Sequence, residues 1–385
     1  MFEKPCYYKG AGKMRGAYIR VGDADMPMTE YEIYSYDAFK RKIQDEVRTV
    51  PQGIGSNLNK TELNLYLAKL RKEKPNLAEL MDEQIMVLGG FNVDGQNTIA
   101  SLMLFGMFPQ GNFPQLCIIA VVVPGYEIGN IGEDDARFID NKRIEGTIPQ
   151  MLVGATSFIQ RNMRIKTIIN ENGKRADKPE YPMKAVREII LNALIHRDYS
   201  INTENSPIRI MLYTNRLEVE NPGGLYGRIT IDNLGKVGAD TRNPYIAAAL
   251  EIMIDTENRF SGIQTIRHEM AKAGLKDPVF ESSRGVFKVA LFNSKKTNET
   301  EKDNLVEIND NLDMADKILI FCKAPKSRDE MAKKFNFLAM SYMMSKYVQP
   351  LIEDGKLKMT KPEKPKSKNQ LYIAVSFPGC QRMHN

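Results

Sequence analysis

The chain is poor in the residues that staple or ligate. Its 385 residues include four cysteines, Cys6, Cys117, Cys322 and Cys380, scattered without metal-ligand spacing. That argues against a disulfide framework and sets the expectation of reduced thiols in a cytoplasmic setting. Cys117 and Cys322 fall inside apolar patterns, where buried free thiols are expected. Only three histidines occur, which disfavours a zinc site. Long hydrophobic runs are also missing. The longest, Ile99 to Phe108 and Leu116 to Val123, fall far short of a membrane span and read as buried strands or core helix segments. No basic segment followed by an apolar one opens the chain as in a signal peptide, so no membrane partner is expected. The phosphate-loop pattern Gly-x-x-x-x-Gly-Lys-[Ser/Thr] is absent, which disfavours a P-loop nucleotidase. There is no serine nucleophile elbow, no zinc-protease helix and no internal repeat.

What remains is a balanced composition, 42% hydrophobic and 26% charged, as in soluble globular proteins. The length predicts two or three domains. The net charge of +6 is unevenly spread. Between Asp313 and Phe377 there are 13 Lys+Arg against 7 Asp+Glu, and elsewhere the two signs cancel. A basic excess confined to one region suits an anionic partner, most often nucleic acid.

The most informative stretch runs from Glu188 to Tyr199 and reads as one helix, with Pro182 pre-setting its first turn. Val186, Ile190, Ala193 and Leu194 make an apolar face. Glu188, Asn192 and His196 are spaced i, i+4, i+8 and lie along one stripe, successive members turned by about 40°. A carboxylate, an amide and an imidazole on one edge are costly to bury idle. Carboxylate and amide oxygens suit a hard cation such as Mg²⁺, and a carboxylate can polarise water. An amphipathic helix with its polar stripe in solvent satisfies the same spacing.

Residues 1–45 show short strands at Tyr7-Tyr8 and Ala17 to Val21, with Gly10, Gly12 and Gly16 at turns. A helix is expected over Tyr36 to Val47. This is too little to bury a core, and the tail of a longer domain is expected. Residues 46–293 alternate helix and strand patterns. Helices are expected over Thr61 to Lys72, Leu77 to Val87, Gln150 to Arg161 and Ile263 to Ala273, the last ended by Gly274. Ile208 to Tyr213 and Arg216 to Glu220 read as a hairpin, followed by the turn-rich Asn221-Pro222-Gly223-Gly224. Two glycines there allow close backbone approach to a ligand, and Asn221 can hydrogen-bond a purine edge; an ordinary hairpin turn fits equally. Arg259 to Gly262 precedes a helix N-terminus suited to phosphate, or is a plain helix start capped by Ser261. Arg242 either pairs with phosphate or caps the fold. Phe287 to Phe292 reads as a final strand.

Residues 294–312 read as a solvated linker. Residues 313–377 show three helices and then a two-stranded ribbon, the order of a winged helix-turn-helix. Met314 to Cys322 is the first helix, Ser327 to Glu330 a capping box opening the second, and Met340 to Glu353 the third, with Pro350 bending its last turn. Met344, Tyr347, Val348 and Leu351 are expected to face the core. Ser341, Tyr342, Ser345, Lys346 and Gln349 then face outward, able to meet base edges and phosphates in a major groove. Lys361, Lys364, Lys366 and Lys368 in the following loop suit backbone phosphate. A protein-interaction module with a solubilising basic loop fits the same pattern.

Together, Glu188 to Tyr199, Leu217 to Gly223, Arg242-Asn243-Pro244, Gly262-Ile263 and Gly285-Val286-Phe287 resemble a bacterial family of transcriptional regulators, also called RecG-like ATP-binding proteins. Tyr7 to Val21 is similar to the end of the Schlafen-type AlbA domain that precedes the ATPase domain in that family, and Lys356 to Tyr372 to its winged helix. The resemblance implies an α+β chain: a partial AlbA-like segment, a histidine-kinase-like (Bergerat-type) ATPase domain and a C-terminal winged helix. It implies ATP and Mg²⁺ as ligands. Asn192 matches the Mg²⁺-binding asparagine, Glu188 the carboxylate that activates water, and Asn221 and Gly223 the adenine-binding position and its following glycine. Gly262 matches a glycine of the second phosphate loop, and His196 joins the nucleotide-binding set. The chain departs from the pattern in having Asn221 for a carboxylate, and Phe260 and Ser261 for Gly and Thr. The expected function is a DNA-binding transcriptional regulator with an ATP·Mg²⁺-sensing domain, acting on double-stranded DNA as a homo-oligomer. Two alternatives stand beside it: an active ATPase in nucleic-acid remodelling or defence, and a degenerate nucleotide fold kept as a dimerisation scaffold.

Overall fold

A computed structural model describes residues 6–7, 10, 12–21, 24–132, 135–169, 175–238, 240–254, 262–294, 313–322, 325–335, 340–363 and 370–375. The chain forms two compact units, Met1–Lys296 and Thr297–Asn385. The architecture is α+β.

The first unit is built on a six-stranded mixed sheet. Its strands are β1 (Ile118–Val122), β2 (Asp140–Ile144), β3 (Ile208–Leu212), β4 (Arg216–Pro222), β5 (Val279–Ser283) and β6 (Val286–Phe292), in spatial order β5-β6-β4-β3-β1-β2. Only β1 and β3 run parallel; the other pairs are antiparallel. Alternation along β4 turns Leu217, Val219 and Asn221 toward one face and Arg216, Glu218 and Glu220 toward the other. Register sets Val219 opposite Val289 and Asn221 opposite Phe287.

Its longer helices include α1 (Glu30–Arg41), α2 (Lys60–Glu73), α3 (Ile99–Phe105), α4 (Ile148–Asn162), α5 (Met183–His196), α6 (Pro244–Ile254) and α7 (Gly262–Lys272). Val186, Ile189, Ile190, Leu194 and Ile195 of α5 join Met151, Leu152, Ala155 and Ile159 of α4 in one large core. Gly274, at φ +69°, ends α7 as expected for a left-handed cap.

Several sequence expectations are corrected. Of the 99–108 run, which the sequence left open between strand and helix, Ile99–Phe105 is a wholly buried helix, and Met107 and Phe108 are exposed. The helix expected over 36–47 begins earlier, at Glu30, because Thr29 and Glu32 form a capping box there; Lys42 ends it in a left-handed conformation. Gly12–Gly16 forms a short helix rather than turns. Only Asp82–Leu88 of the 77–87 segment is α-helical. α5 stops at His196, three residues short of Tyr199. Its end is held by tertiary donors: Asn243 Nδ2 donates to the carbonyls of Ile195 and Arg197, both at 2.7 Å, and the Tyr199 hydroxyl donates to Leu194 at 2.9 Å. β2, β5 and the hairpin Ile165–Ile169 with Arg175–Pro179 were not read from the sequence.

The second unit contains α8 (Met314–Phe321), β7 (Lys326–Ser327), α9 (Arg328–Lys334), helical turns over 340–353, β8 (Leu357–Met359) and β9 (Leu371–Ala374), with sheet order β7-β9-β8. Ser327 and Glu330 form the expected capping box. The expected third helix is not uniform. Met340–Met343 is α-helical, Met344–Val348 widens into a π-type stretch, and Gln349–Glu353 resumes the α-helix. Pro350 has no N–H to return to the preceding turn, and the widened stretch lies immediately before it. Val348 and Leu351 are buried and Met344 and Tyr347 pack against the same core, with Met343 added. Cys117 and Cys322 are buried free thiols. The 295–312 part of the expected linker lies outside the described residues. Among the described residues no helix is long and apolar enough to cross a membrane.

Candidate functional site

The face of the sheet that carries Val219 and Asn221 forms the floor of a cavity of about 370 Å³. Val219, Asn221, Phe287 and Val289 line it from β4 and β6. One wall is the polar edge of α5, Glu188, Asn192 and His196. α7 contributes Gly262, Ile263 and Ile266, and α6 contributes Pro244, Ala247 and Ala248. The rest comes from the loop between β4 and α6, through Leu225, Tyr226, Ile229, Leu234, Val237 and Asp240. Glu188, Asn192, His196, Asn221, Gly223 and Gly262 thus border one cavity. Sites of this size, mostly apolar with a few convergent polar groups, are typical of small ligands.

The polar groups differ in state. Asn192 Nδ2 donates to Glu188 Oε1 at 3.2 Å. Burial raises the Glu188 carboxyl above the ordinary carboxylate range, opposed by that hydrogen bond. Burial, aided by the charge of Arg242, depresses His196 to about 4, so the imidazole is neutral at physiological pH. Asn221 is 4% exposed, and its Oδ1 is buried with no hydrogen-bond partner. An acceptor left so costs about 1–3 kcal/mol. Asn221 lines the cavity floor, so a turn of its amide would present this oxygen to a ligand.

Two glycines sit at close approaches. A Cβ on Gly262 would lie 2.4 Å from Glu188 Oε1 and 2.9 Å from Asn192 Nδ2, so a larger residue there would displace the ends of both side chains. Gly223 has φ +110°, and a Cβ would meet Asp198 at 2.8 Å.

Behind the cavity lies a buried network that the sequence did not disclose. Asp198 is fully buried and pairs with Arg242, which is 5% exposed. The Tyr31 hydroxyl of α1 donates to Asp198 Oδ2 at 2.6 Å, and Arg242 Nη2 donates to the Gly224 carbonyl at 3.2 Å. The Arg242 guanidinium stacks on Tyr226 at 4.8 Å, and Phe39 of α1 meets the same ring edge-on at 5.4 Å. Arg242 therefore holds the fold and the cavity rim rather than facing a ligand phosphate. Desolvation pushes the Tyr31 hydroxyl up to about 12. These partners are separated by 167 and 44 residues in the chain, beyond any local pattern. At the outer rim Arg228 forms a bidentate pair with Asp240, Nη2 to Oδ1 at 2.9 Å and Nε to Oδ2 at 3.1 Å, which closes the 228–240 loop and holds the Asp240 carboxyl below its usual range.

Arg259, Phe260 and Ser261 lie outside the described residues. Among the described residues no group of three or more His, Cys, Asp or Glu side chains could hold a metal. The donor set on α5 fits Mg²⁺ in another way, through one or two protein oxygens completed by phosphate and water, as is usual for that ion.

In the second unit, Tyr342, Ser345, Lys346 and Gln349 are exposed. Lys346 Nζ donates to the Tyr342 hydroxyl at 2.6 Å and lies 5.0 Å over the Tyr342 ring. Gln349 Nε2 donates to Glu353 at 3.1 Å. Ser341 falls in the same helical turns. Lys364, Lys366 and Lys368 lie outside the described residues.

Residues 205–291 match the family model described as "Putative ATP-dependent DNA helicase recG C-terminal", an ATPase-type signature spanning β3 to β6 with α6 and α7. Residues 315–373 match the C-terminal domain of the Fic-like proteins, described as "Filamentation induced by cAMP". No curated protein matches the chain. Among solved structures, the DIP2311 protein from Corynebacterium diphtheriae is similar at 20% identity and a TM-score of 0.49, over 82% of this chain and 62% of that one. This chain thus spans less than two thirds of that relative's length.

Proposed function

We propose that the first unit binds ATP·Mg²⁺ in this cavity and that the second unit is a winged helix that binds double-stranded DNA, the whole acting as a transcriptional regulator whose DNA affinity responds to nucleotide. The observation that carries the nucleotide reading is the convergence of Glu188 and Asn192 on the wall with the unpartnered Asn221 on the apolar floor. The ATPase-type family match to the surrounding sheet supports it.

The apolar strip Val219, Phe287 and Val289 suits the face of a base, with Asn221 meeting its polar edge. Asn192 would hold Mg²⁺ through its side-chain oxygen. The bound ion would offset phosphate charge and orient the phosphates. The backbone amides opening α7, beside Gly262, suit a phosphate oxygen. His196, neutral, offers one donor and one acceptor to the ligand. Glu188 sits where a carboxylate would polarise a water molecule, and its raised affinity for protons suits a general base. Residues 1–45 are read as the end of an AlbA-like domain.

In the second unit, Lys346 and Gln349 project from the exposed face of the third helix, and the basic loop over 361–370 is read as a wing contacting phosphate. Nucleotide occupancy would change the arrangement of domains or of a dimer and so alter DNA affinity.

Glu188→Ala tests the assignment of roles. Nucleotide affinity should change by less than about threefold while any phosphate release is abolished. If DNA affinity still responds to ATP in this variant, occupancy rather than turnover is the switch. If Glu188→Ala releases phosphate as the wild type does, the role of Glu188 is wrong.

A further inference from the structure

Asn221 closes the apolar floor of the cavity with an amide, and nothing fixes which way that amide faces. It lies at the end of β4, opposite Phe287 of β6, on the same face as Val219. It is 4% exposed, and its oxygen accepts no hydrogen bond. The neighbouring peptide groups are engaged with one another: Asp198 N–H with Pro222 at 3.0 Å, and Gly223 N–H with Gly285 at 2.8 Å. A buried amide held by partners on both sides would read one hydrogen-bond pattern only. Here the oxygen is buried and unpaired, and half a turn of the amide exchanges it with the nitrogen at the cavity.

An amide offers a donor and an acceptor side by side, whereas a carboxylate offers acceptors alone. A 6-aminopurine presents an exocyclic N–H next to a ring-nitrogen acceptor. A 6-oxopurine presents a carbonyl acceptor next to a ring N–H. The two edges are mirror patterns, and half a turn of the terminal torsion converts the amide from one complement to the other. That torsion is soft, because rotation about an sp³–sp² bond has a broad two-fold profile. A carboxylate at this point offers acceptors alone, so on either edge it accepts from one N–H and meets the neighbouring acceptor with like partial charge.

We infer that the unpinned Asn221 amide makes this site a purine-nucleotide site without discrimination at C6, accepting 6-oxopurine triphosphates beside ATP. The inference rests on the nucleotide reading above and specifies its ligand class. The apolar strip formed by Val219, Phe287 and Val289 supplies the base's face with sequence-independent contact, so recognition of the purine edge falls to Asn221. The charge-neutral side chain also binds each base without an ionic contribution, which keeps the two affinities close.

The test is a calorimetric titration of the whole chain, with Mg²⁺, using ATP and inosine triphosphate, which differ at C6 and in the proton on the adjacent ring nitrogen, and cytidine triphosphate as control. The expected result is ATP and inosine triphosphate binding within about threefold of one another, with cytidine triphosphate at least about tenfold weaker. Asn221→Asp should weaken ATP and inosine triphosphate alike, since the carboxylate meets an acceptor on either edge. Wild-type preference for ATP over inosine triphosphate by more than about tenfold would overturn the inference while leaving the nucleotide site standing. Absence of binding by both purine triphosphates would overturn the nucleotide reading itself. The wild-type comparison needs no variant, so an Asn221→Asp chain that fails to fold would not blunt it.

Discussion

Asn221 and Glu46 are both nearly inaccessible polar residues, and their situations are opposite. Glu46 is fully buried with both carboxylate oxygens engaged, accepting from the backbone of Tyr245 at 3.0 Å and of Ile246 at 2.9 Å at the start of α6. Burial still pushes its carboxyl up from 4.5 to about 7, against the two backbone hydrogen bonds that lower it. The folded chain therefore holds a proton that the unfolded chain gives up. The stability tied to that proton is present below pH 4.5 and is lost as pH rises through about 7, by a few kcal/mol at most. Urea unfolding of the first transition between pH 5 and 8 should show this decline, and Glu46→Gln should flatten it. Equal slopes in the two proteins would place the proton elsewhere. Of such residues, the Glu188, Asn192, His196 stripe was legible in the sequence because helical period fixes which side chains share an edge. The unpartnered state of Asn221 was not, since it depends on what lies opposite it in a strand 66 residues away.

Among the elements, α1 is the one whose position matters most to the cavity. It reaches the rim by Tyr31 on Asp198, by Phe39 on Tyr226, and by Tyr31 over Gly285, where a Cβ would lie 2.5 Å from the ring. Tyr31→Phe removes the hydrogen bond donated to Asp198 and the one accepted from Arg242 Nη1 at 3.3 Å while the Asp198–Arg242 pair persists, and should cost about 1–2 kcal/mol. Asp198→Ala leaves the buried Arg242 without a counter-charge and should cost about 3–5 kcal/mol. Thermal unfolding of both variants checks the order. Comparable small losses in the two would mean that Arg242 finds another partner. The cap written into Ser327 and Glu330 was read correctly from the sequence, whereas the one formed by Thr29 and Glu32 was missed. α5 was read three residues too long because its end is set by Asn243 and Tyr199 through tertiary contacts. The 340–353 helix was read as continuous because Pro350 signals a break without saying that the turn before it will widen.

On the scale of the whole molecule, charge is divided: the basic excess belongs to the C-terminal residues, whereas the cavity lies in the first unit. Lys364→Ala with Lys366→Ala should weaken DNA binding for all sequences alike and reduce the salt slope by about 2, as expected for two lost phosphate contacts. Titration of labelled duplex at several salt concentrations measures both quantities, and an unchanged slope would remove the wing from the interface. The sheet order β5-β6-β4-β3-β1-β2 was beyond sequence pattern, because β2 and β5 are short polar-faced edge strands whose pairing is set by the elements beside them.

The most direct test of the nucleotide site is calorimetric titration of ATP into the whole chain, with and without Mg²⁺, beside Asn192→Ala. The account predicts binding strengthened by Mg²⁺ in the wild type and loss of that Mg²⁺ dependence in the variant. No heat at millimolar ATP, or a Mg²⁺ dependence that survives Asn192→Ala, would contradict it.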